Sequence, residues 1–229
     1  MDPRLLSICI AAMGLAAGGL IYGVLFCKKR NYLIGLEWFL LSVSSTNFMF
    51  YELTNSNFTR LGLIFLDTFS RAFGLPLITV AGLMVLMRGY RPSLRAEVLW
   101  FVLPTIATLL LLTDYMAGML PYILLAMWVV YSLYLIIFVF QLLNYGERLH
   151  AFLMAVTTVL CQTIACIYDF YKIPGDETNV VINFYTLALW TWAYMTVQIY
   201  YSYCALERAK GRAGASQASA GVHPIGNLH

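Results

Sequence analysis

Residues 61–87 read LGLIFLDTFSRAFGLPLITVAGLMVLM, an apolar stretch that is long enough to cross a bilayer as a helix. It carries Asp67 and Arg71 four residues apart, which places both on one face of that helix. A charged residue inside a membrane span is costly unless it is paired or faces water. We therefore predict that Asp67 and Arg71 pair and face the interior of a helix bundle. Pro76 lacks a backbone donor and predicts a bend in the same helix.

Two interpretations of this charged pair stay open. In the first, the pair neutralises itself and only fixes how the helices pack. In the second, it binds a ligand, handles protons or switches the protein between states. The sequence contains no nucleophile, nucleotide-binding or metalloprotease motif beside the pair. We therefore predict no enzymatic activity, no catalytic residues, no cofactor and no metal site.

The composition is that of an integral membrane protein. Of 229 residues, 61% are hydrophobic and only 11% are charged, and the mean hydropathy is +0.76. The apolar residues form seven runs, which predict spans at about 5–27, 32–50, 61–87, 98–113, 121–143, 149–171 and 180–206. The expected fold is all-α, a seven-transmembrane-helix bundle that occupies residues 1–207. Residues 208–229 are expected to form a disordered basic cytoplasmic tail.

The basic residues predict the orientation of this bundle. Three lie on one side of the membrane, at Arg4, Arg60 and Lys172, and Arg71 lies within a span. The other ten of the 14 fall on the opposite side: Lys28, Lys29, Arg30, Arg88, Arg91, Arg95, Arg148, Arg208, Lys210 and Arg212. Because cytoplasmic loops carry the excess of lysine and arginine, we predict an external N-terminus and a cytoplasmic C-terminus. Topology also accounts for the net charge of +3, so no nucleic-acid partner is expected.

Polar residues recur on one face of other spans. In the sixth span Gln162 lies on a face with Thr158, Cys166 and Asp169, and the seventh span has a similar face with Asn183, Trp190 and Tyr194. Such faces either form interhelical hydrogen bonds or line a polar cavity. Glu37 lies near the cytoplasmic end of the serine-rich second span, and we expect its side chain to reach the inner membrane surface or to pair with a loop arginine.

Several classes of site are excluded by residue types. The five cysteines are odd in number and form no CxxC pair, so neither a disulfide framework nor a zinc site is indicated. Three histidines, two of them in the tail, are too few and too scattered for a haem or di-iron site. Seven helices with an external N-terminus are typical of microbial rhodopsins, but the seventh span has no lysine for a retinal Schiff base.

The spacing of the spans resembles the architecture of the SWEET and PQ-loop transporters, in which three helices, a linker helix and three more helices form parallel repeats. The first three spans begin near residues 5, 32 and 61, and the last three near 122, 149 and 180. Corresponding spans are thus offset by about 117 residues, and at an offset of 117 (168 − 51) Tyr51-Glu52 aligns with Tyr168-Asp169. The chain has no Pro-Gln pair, so the resemblance concerns architecture and assigns no family.

These observations favour a transporter of small solutes or ions with a polar intramembrane cavity. Asp67 would be the protonatable group or cation site, and Arg71 its counter-charge or an anion anchor. The predicted substrate-binding residues are Asp67, Arg71, Gln162, Asn183, Trp190 and Tyr194. The alternative is a heptahelical sensor or accessory subunit that acts through a separate cytoplasmic protein partner. A lipid-modifying enzyme using Glu37, Asp114 or Asp169 is a third hypothesis, which no metal cluster or recurring acid pair supports.

The expected partners are the lipid bilayer and a small polar solute or proton. The sequence shows no transit peptide and no sorting signal, so we expect a multi-pass protein of the plasma membrane, in a bacterial cytoplasmic (inner) membrane.

Overall fold

The computed structural model describes residues 3–170 and 180–220, with side chains except at 4, 180–183 and 217–220. Within this part of the chain the regular structure is entirely helical. The elements are α1 Pro3–Lys28, α2 Tyr32–Thr54, α3 Asn57–Phe69, a π-helical segment Ser70–Thr79, α4 Val80–Arg88, α5 Leu94–Leu111, α6 Leu120–Asn144, α7 Arg148–Tyr168 and α8 Val180–Ala220.

Six helices among the described residues are long and apolar enough to cross a membrane. They are Leu5–Lys28, Tyr32–Thr54, Asn57–Arg88, Leu94–Leu111, Leu120–Asn144 and Arg148–Tyr168. The predicted all-helical membrane bundle is confirmed at this level. The seventh predicted span lies in α8, and the orientation of the bundle stays a prediction.

The outward faces of the bundle are apolar. Five apolar residues on these faces are each more than half exposed: Leu103 and Leu110 of α5, Leu133 and Phe140 of α6, and Val159 of α7. A surface of this kind is unfavourable in water and well suited to hydrocarbon. The bundle therefore has the surface expected of a protein surrounded by lipid.

The helices pack in a closed ring. Helix α1 lies between α2 and α8, α2 contacts α3 and the π-helical segment, and that segment packs against α6. The ring closes through contacts of α6 with α7 and of α7 with α8, while α5 lies outside it against α3 and the π-helical segment. Side chains from α2, the π-helical segment, α6, α7 and α8 can therefore meet at the centre.

Helix α8 continues to Ala220, so residues 208–220 are helical where the sequence predicts a disordered tail. The ammonium group of Lys210 donates to the carbonyl oxygens of Leu86 (2.8 Å) and Met87 (3.0 Å), in the last turn of α4. Arg212 Nη2 lies 2.7 Å from Glu147 Oε1. These contacts involve distant parts of the chain, which the local composition of the tail does not reveal. Residues 221–229 lie outside the described chain.

Lys29 and Glu207 also form an ion pair at this end of the bundle, which we call the basic end. It contains the ends of α1, α4 and α6, the start of α7 and the C-terminal part of α8. The predicted cytoplasmic basic residues of these segments are therefore neighbours in space. Tyr51, Ala117 and Asp169 lie at the opposite end.

Candidate functional site

The continuous helix from Asn57 to Arg88, which we call the rod, consists of α3, the π-helical segment and α4. It changes from α-helical to π-helical geometry where it enters the centre of the bundle. From Ser70 to Thr79 it is π-helical, a geometry that is rare and occurs frequently at functional sites. Pro76 cannot donate a backbone hydrogen bond, and in an α-helix its ring would clash with the preceding turn. The structure thus accommodates Pro76 by a change of helix type. The Thr79 hydroxyl donates to the Gly74 carbonyl at 3.3 Å, which satisfies an acceptor in this segment.

A buried arginine near the start of this π-helical segment is ion-paired with two carboxylates. Arg71 has a side chain only 5% exposed, and its Nη1 lies 3.2 Å from Asp67 Oδ2. Its Nη2 pairs with the carboxylate of Asp169, the C-cap residue that follows α7. The guanidinium carbon lies 4.1 Å from the ring centroid of Tyr168, at a cation–π distance. The predicted pairing of Asp67 with Arg71 is confirmed, and Asp169 is a third member of what we call the charge cluster.

The charge cluster carries more negative than positive charge. With all three groups ionised, two carboxylates face one guanidinium, which leaves a net charge of −1. Arg71 is almost fully buried, whereas the side chains of Asp67 and Asp169 are 28% and 17% exposed. Partial exposure lets water solvate the surplus carboxylate charge, which would be much more costly in a dry interior. The cluster is thus better matched to a cation than to an anion.

The charge cluster separates two spaces inside the bundle. The larger, which we call the vestibule, has a volume of about 490 Å³ and lies at the end opposite the basic end. Its walls combine carboxylates with aromatic rings, from Phe48, Tyr51, Glu52, Asp67, Tyr168, Asp169 and Tyr185. This volume falls within the range of sites for small molecules.

The smaller space, which we call the chamber, lies deeper and has a volume of about 60 Å³. Its polar lining is Ser44, Ser45, Asp67, Ser70 and Arg71, and its apolar lining includes Leu75 and Trp192. A space of this size that has several polar groups in its lining can hold a few water molecules. Because Asp67, Arg71, Tyr168 and Tyr185 line both spaces, the charge cluster stands at their junction.

Three of the predicted substrate-binding residues line neither space. Gln162 accepts a hydrogen bond from Ser132 at 2.7 Å, between α6 and α7. Trp190 is 48% exposed and packs on α1 at Gly14, and Tyr194 is 37% exposed on the bundle surface. The side chain of Asn183 lies outside the described part of the structure.

The face of α8 that lines the chamber is instead formed by Tyr185, Leu189 and Trp192. Trp190 and Tyr194 of the predicted polar face are partly exposed, so they do not lie on the side of α8 that lines the chamber. Amphipathic tryptophan and tyrosine side chains are also favourable at the edge of a membrane. Polarity alone therefore does not identify the inward face of α8.

Glu37 differs from the sequence expectation. Its side chain reaches neither the surface nor a loop arginine, and the residue is 0% exposed. Neither carboxyl oxygen has a hydrogen-bond partner. The carboxyl group fits against Gly74, where a Cβ would overlap it. Glu37 is thus a buried acid of α2 whose carboxyl group lies against the π-helical segment at Gly74, about one turn beyond Arg71.

Among the described residues, no group of three or more histidine, cysteine, aspartate or glutamate side chains is arranged to hold a metal ion. Asp114 is exposed, at the rim of the bundle. Comparisons of the chain with models of protein families, with curated proteins and with solved structures give no match.

Proposed function

We propose that the protein is a transporter of small cationic solutes or ions, with the charge cluster as its cation site. The observation that carries this proposal is the convergence of two carboxylates on one buried guanidinium at the junction of the vestibule and the chamber. In this arrangement Asp67 and Asp169 attract the cation, and Arg71 is their resident counter-charge. Charged groups inside a membrane typically mark ion or substrate pathways.

The lining of the vestibule supports a cation in preference to an anion. Glu52 adds a third carboxylate to those of Asp67 and Asp169, and tyrosine and phenylalanine rings surround them. Aromatic faces stabilise organic cations through their negative quadrupole, and carboxylates through charge. An anion would have to displace a carboxylate from Arg71. The volume of about 490 Å³ suits an organic ammonium ion or a hydrated metal ion.

A bound cation would also weaken the electrostatic attraction between Arg71 and the carboxylates of the charge cluster. When a cation contacts Asp169 or Asp67, that carboxylate no longer depends on Arg71 for its neutralisation. A ligand shifts a conformational equilibrium only through interactions that differ between the two states. The competition between the cation and Arg71 supplies such a difference.

The chamber is followed by a tightly packed core toward the basic end. This core includes the fully buried rings of Phe26, Trp38, Trp128 and Phe138. The described structure is thus wide on the vestibule side of the charge cluster and packed on the other side. That asymmetry is what one state of an alternating-access transporter would have.

The membrane location and orientation are part of this proposal. With the basic end in the cytoplasm, the vestibule faces the outside of the cell and the N-terminus is external. We assign the protein to the plasma membrane, as a multi-pass protein of a bacterial cytoplasmic membrane. The substrate would then enter the vestibule from the external medium.

Uptake by proteoliposomes tests the proposal with tetramethylammonium, methylammonium, potassium and sodium ions as probes. We expect saturable uptake of at least one cation. Asp169→Asn should lower it at least about tenfold, because the cluster then loses its net negative charge, and tenfold corresponds to roughly 1.4 kcal/mol. Asp114→Asn is the matched control, since Asp114 is exposed and outside the vestibule, and its uptake should equal that of the wild type.

Other results would contradict transport of cations. Saturable uptake of phosphate or benzoate, with no uptake of the cations, would reverse the assigned charge of the substrate. Saturable binding of a cation with no flux would favour the sensor or accessory subunit, which binds the ligand at the same site and acts through a partner at the basic end. If none of the four cations is bound or transported, the proposed function is wrong.

A further inference from the structure

Glu37 is the one fully buried acid among the described residues that the proposed cation site does not use. Its residue exposure is 0%, and neither carboxyl oxygen has a hydrogen-bond partner. An isolated ionised carboxylate in such surroundings is strongly unfavourable, and a buried group of this kind adopts its neutral form. Glu37 is thus a carboxylic acid that retains its proton at rest.

The surroundings of Glu37 contain no positive charge that would stabilise its anion. From the π-helical segment it faces Gly74 and the nearby Ser70 hydroxyl, although neither carboxyl oxygen meets the geometry of a hydrogen bond. From α6 the hydroxyl of Tyr131 lies within electrostatic range of the Glu37 carboxyl group. This hydroxyl donates a hydrogen bond to Met195 Sδ at 3.9 Å. No described lysine, arginine or histidine contributes to the electrostatics of Glu37.

Ser70 connects this buried acid to the charge cluster. The Ser70 side chain lines the chamber, and its hydroxyl is buried without a hydrogen-bond partner of its own. Ser70 follows Asp67 by three residues, so both lie on the same side of the rod. Two unpartnered polar groups, Glu37 and Ser70, thus extend from the core to the chamber that Asp67 lines.

We propose that Glu37 is a proton-binding site that couples cation transport to the movement of a proton. This inference rests on the proposed function. In the transfer step, Ser70 moves into hydrogen-bond distance of both groups, since its hydroxyl has no partner in the described structure. The O–H group of Glu37 then donates its proton to Ser70 Oγ while the Ser70 O–H donates its proton to the carboxylate of Asp67. One proton moves from Glu37 to Asp67, and the serine hydroxyl is unchanged. From Asp67 the proton leaves through the vestibule.

The coupling follows from electrostatics. A cation at the charge cluster lies at the edge of the chamber that Ser70 also lines, and it stabilises the ionised form of Glu37, so its arrival favours loss of the proton. Conversely, a protonated Glu37 is neutral and offers the cation no attraction, so protonation weakens cation binding. In a medium of low dielectric this interaction is much stronger than in water. The transporter would thus exchange a monovalent cation for a proton.

Infrared spectroscopy of the wild-type protein tests whether Glu37 is protonated at rest. We expect a carbonyl stretching band of a neutral carboxylic acid that shifts when glutamate is isotopically labelled and disappears in Glu37→Gln. Glu147→Gln is the matched control, since Glu147 is ion-paired with Arg212 at the basic end, and it should keep the band. A wild-type protein without a labelled glutamic acid band would overturn the proposal.

Proton release tests the coupling itself. When tetramethylammonium, or whichever probe cation binds, is added to solubilised protein with a pH dye, the wild type should release about one more proton per bound cation than Glu37→Gln does. Cation binding with an equal proton count in both proteins would overturn the coupling and leave the proposed function intact. A wild-type protein that binds none of the cations would contradict both the coupling and the proposed function.

Ser70→Ala is the second variant, to be used if Glu37→Gln does not fold. We expect this variant to release the proton more slowly than the wild type. An unchanged rate of proton release would contradict the proposed path through Ser70.

Discussion

Arg71→Ala is expected to lower the free energy of unfolding by about 3–5 kcal/mol, because it leaves two carboxylates without their buried counter-charge. Asp67 and Asp169 both rely on this guanidinium, which is almost fully buried and also contacts the Tyr168 ring. Unfolding by sodium dodecyl sulfate in mixed micelles, followed by tryptophan fluorescence, measures the change. Arg71→Lys should recover only part of it, since an ammonium group cannot hold two carboxylates in the planar geometry of a guanidinium.

Two controls separate charge from packing in this experiment. Arg60→Ala removes an exposed arginine from the same rod and should change the free energy of unfolding by less than about 0.5 kcal/mol. Combining Arg71→Ala with Asp67→Asn and Asp169→Asn removes the unpaired charges and should recover much of the lost stability. A triple variant as unstable as Arg71→Ala would show that Arg71 stabilises the bundle by packing alone.

Gly74→Ala is expected to destabilise the protein by about 3 kcal/mol, at the upper end for an added methyl group in a packed core. The new Cβ would overlap the Glu37 carboxyl group, which is enclosed and has no room to withdraw. The same unfolding assay measures the effect. Gly118→Ala is the matched control, since a Cβ at Gly118 meets nothing within 4 Å.

A double-mutant cycle identifies the cause of this destabilisation. Glu37→Ala removes the carboxyl group and makes room for the new methyl group, so Gly74→Ala should cost much less in that background. A coupling energy of about 1–3 kcal/mol is expected for two residues in direct contact. If the two effects add, the carboxyl group of Glu37 does not occupy the space beside Gly74.

The sequence predicts most of the fold because the bilayer imposes simple rules of length and polarity. Each apolar run becomes a helix, and the stretch at 61–87 lies within the long rod Asn57–Arg88. The boundary of α8 is less predictable, since Lys210 and Arg212 stabilise its C-terminal extension through residues more than 60 positions away. The π-helical geometry around Pro76 is likewise decided by packing and not by local preference.

The candidate site is predictable only where its residues are close in sequence. Asp67 and Arg71 lie on one helical turn, so their pairing follows from spacing. Asp169 joins them from 98 positions away, which requires knowledge of how α7 meets the rod. The sequence predicts Glu37 at the membrane surface because it lies only five residues after Tyr32, where the second span begins. Its burial depends on the space that Gly74 leaves on another helix, and no pattern within α2 indicates this.

The accessibility of the vestibule from water, within a surface that faces lipid, can be measured by cysteine labelling. The background is the full chain with its five cysteines replaced by alanine. Ile64 lines the vestibule one turn before Asp67 and is 42% exposed, whereas Leu133 is 58% exposed on the outer face of α6. In a bilayer, a membrane-impermeant thiol reagent added from the N-terminal side should label Ile64→Cys and leave Leu133→Cys unlabelled. Labelling of Leu133→Cys with none at Ile64→Cys would contradict a water-accessible charge cluster inside a membrane bundle.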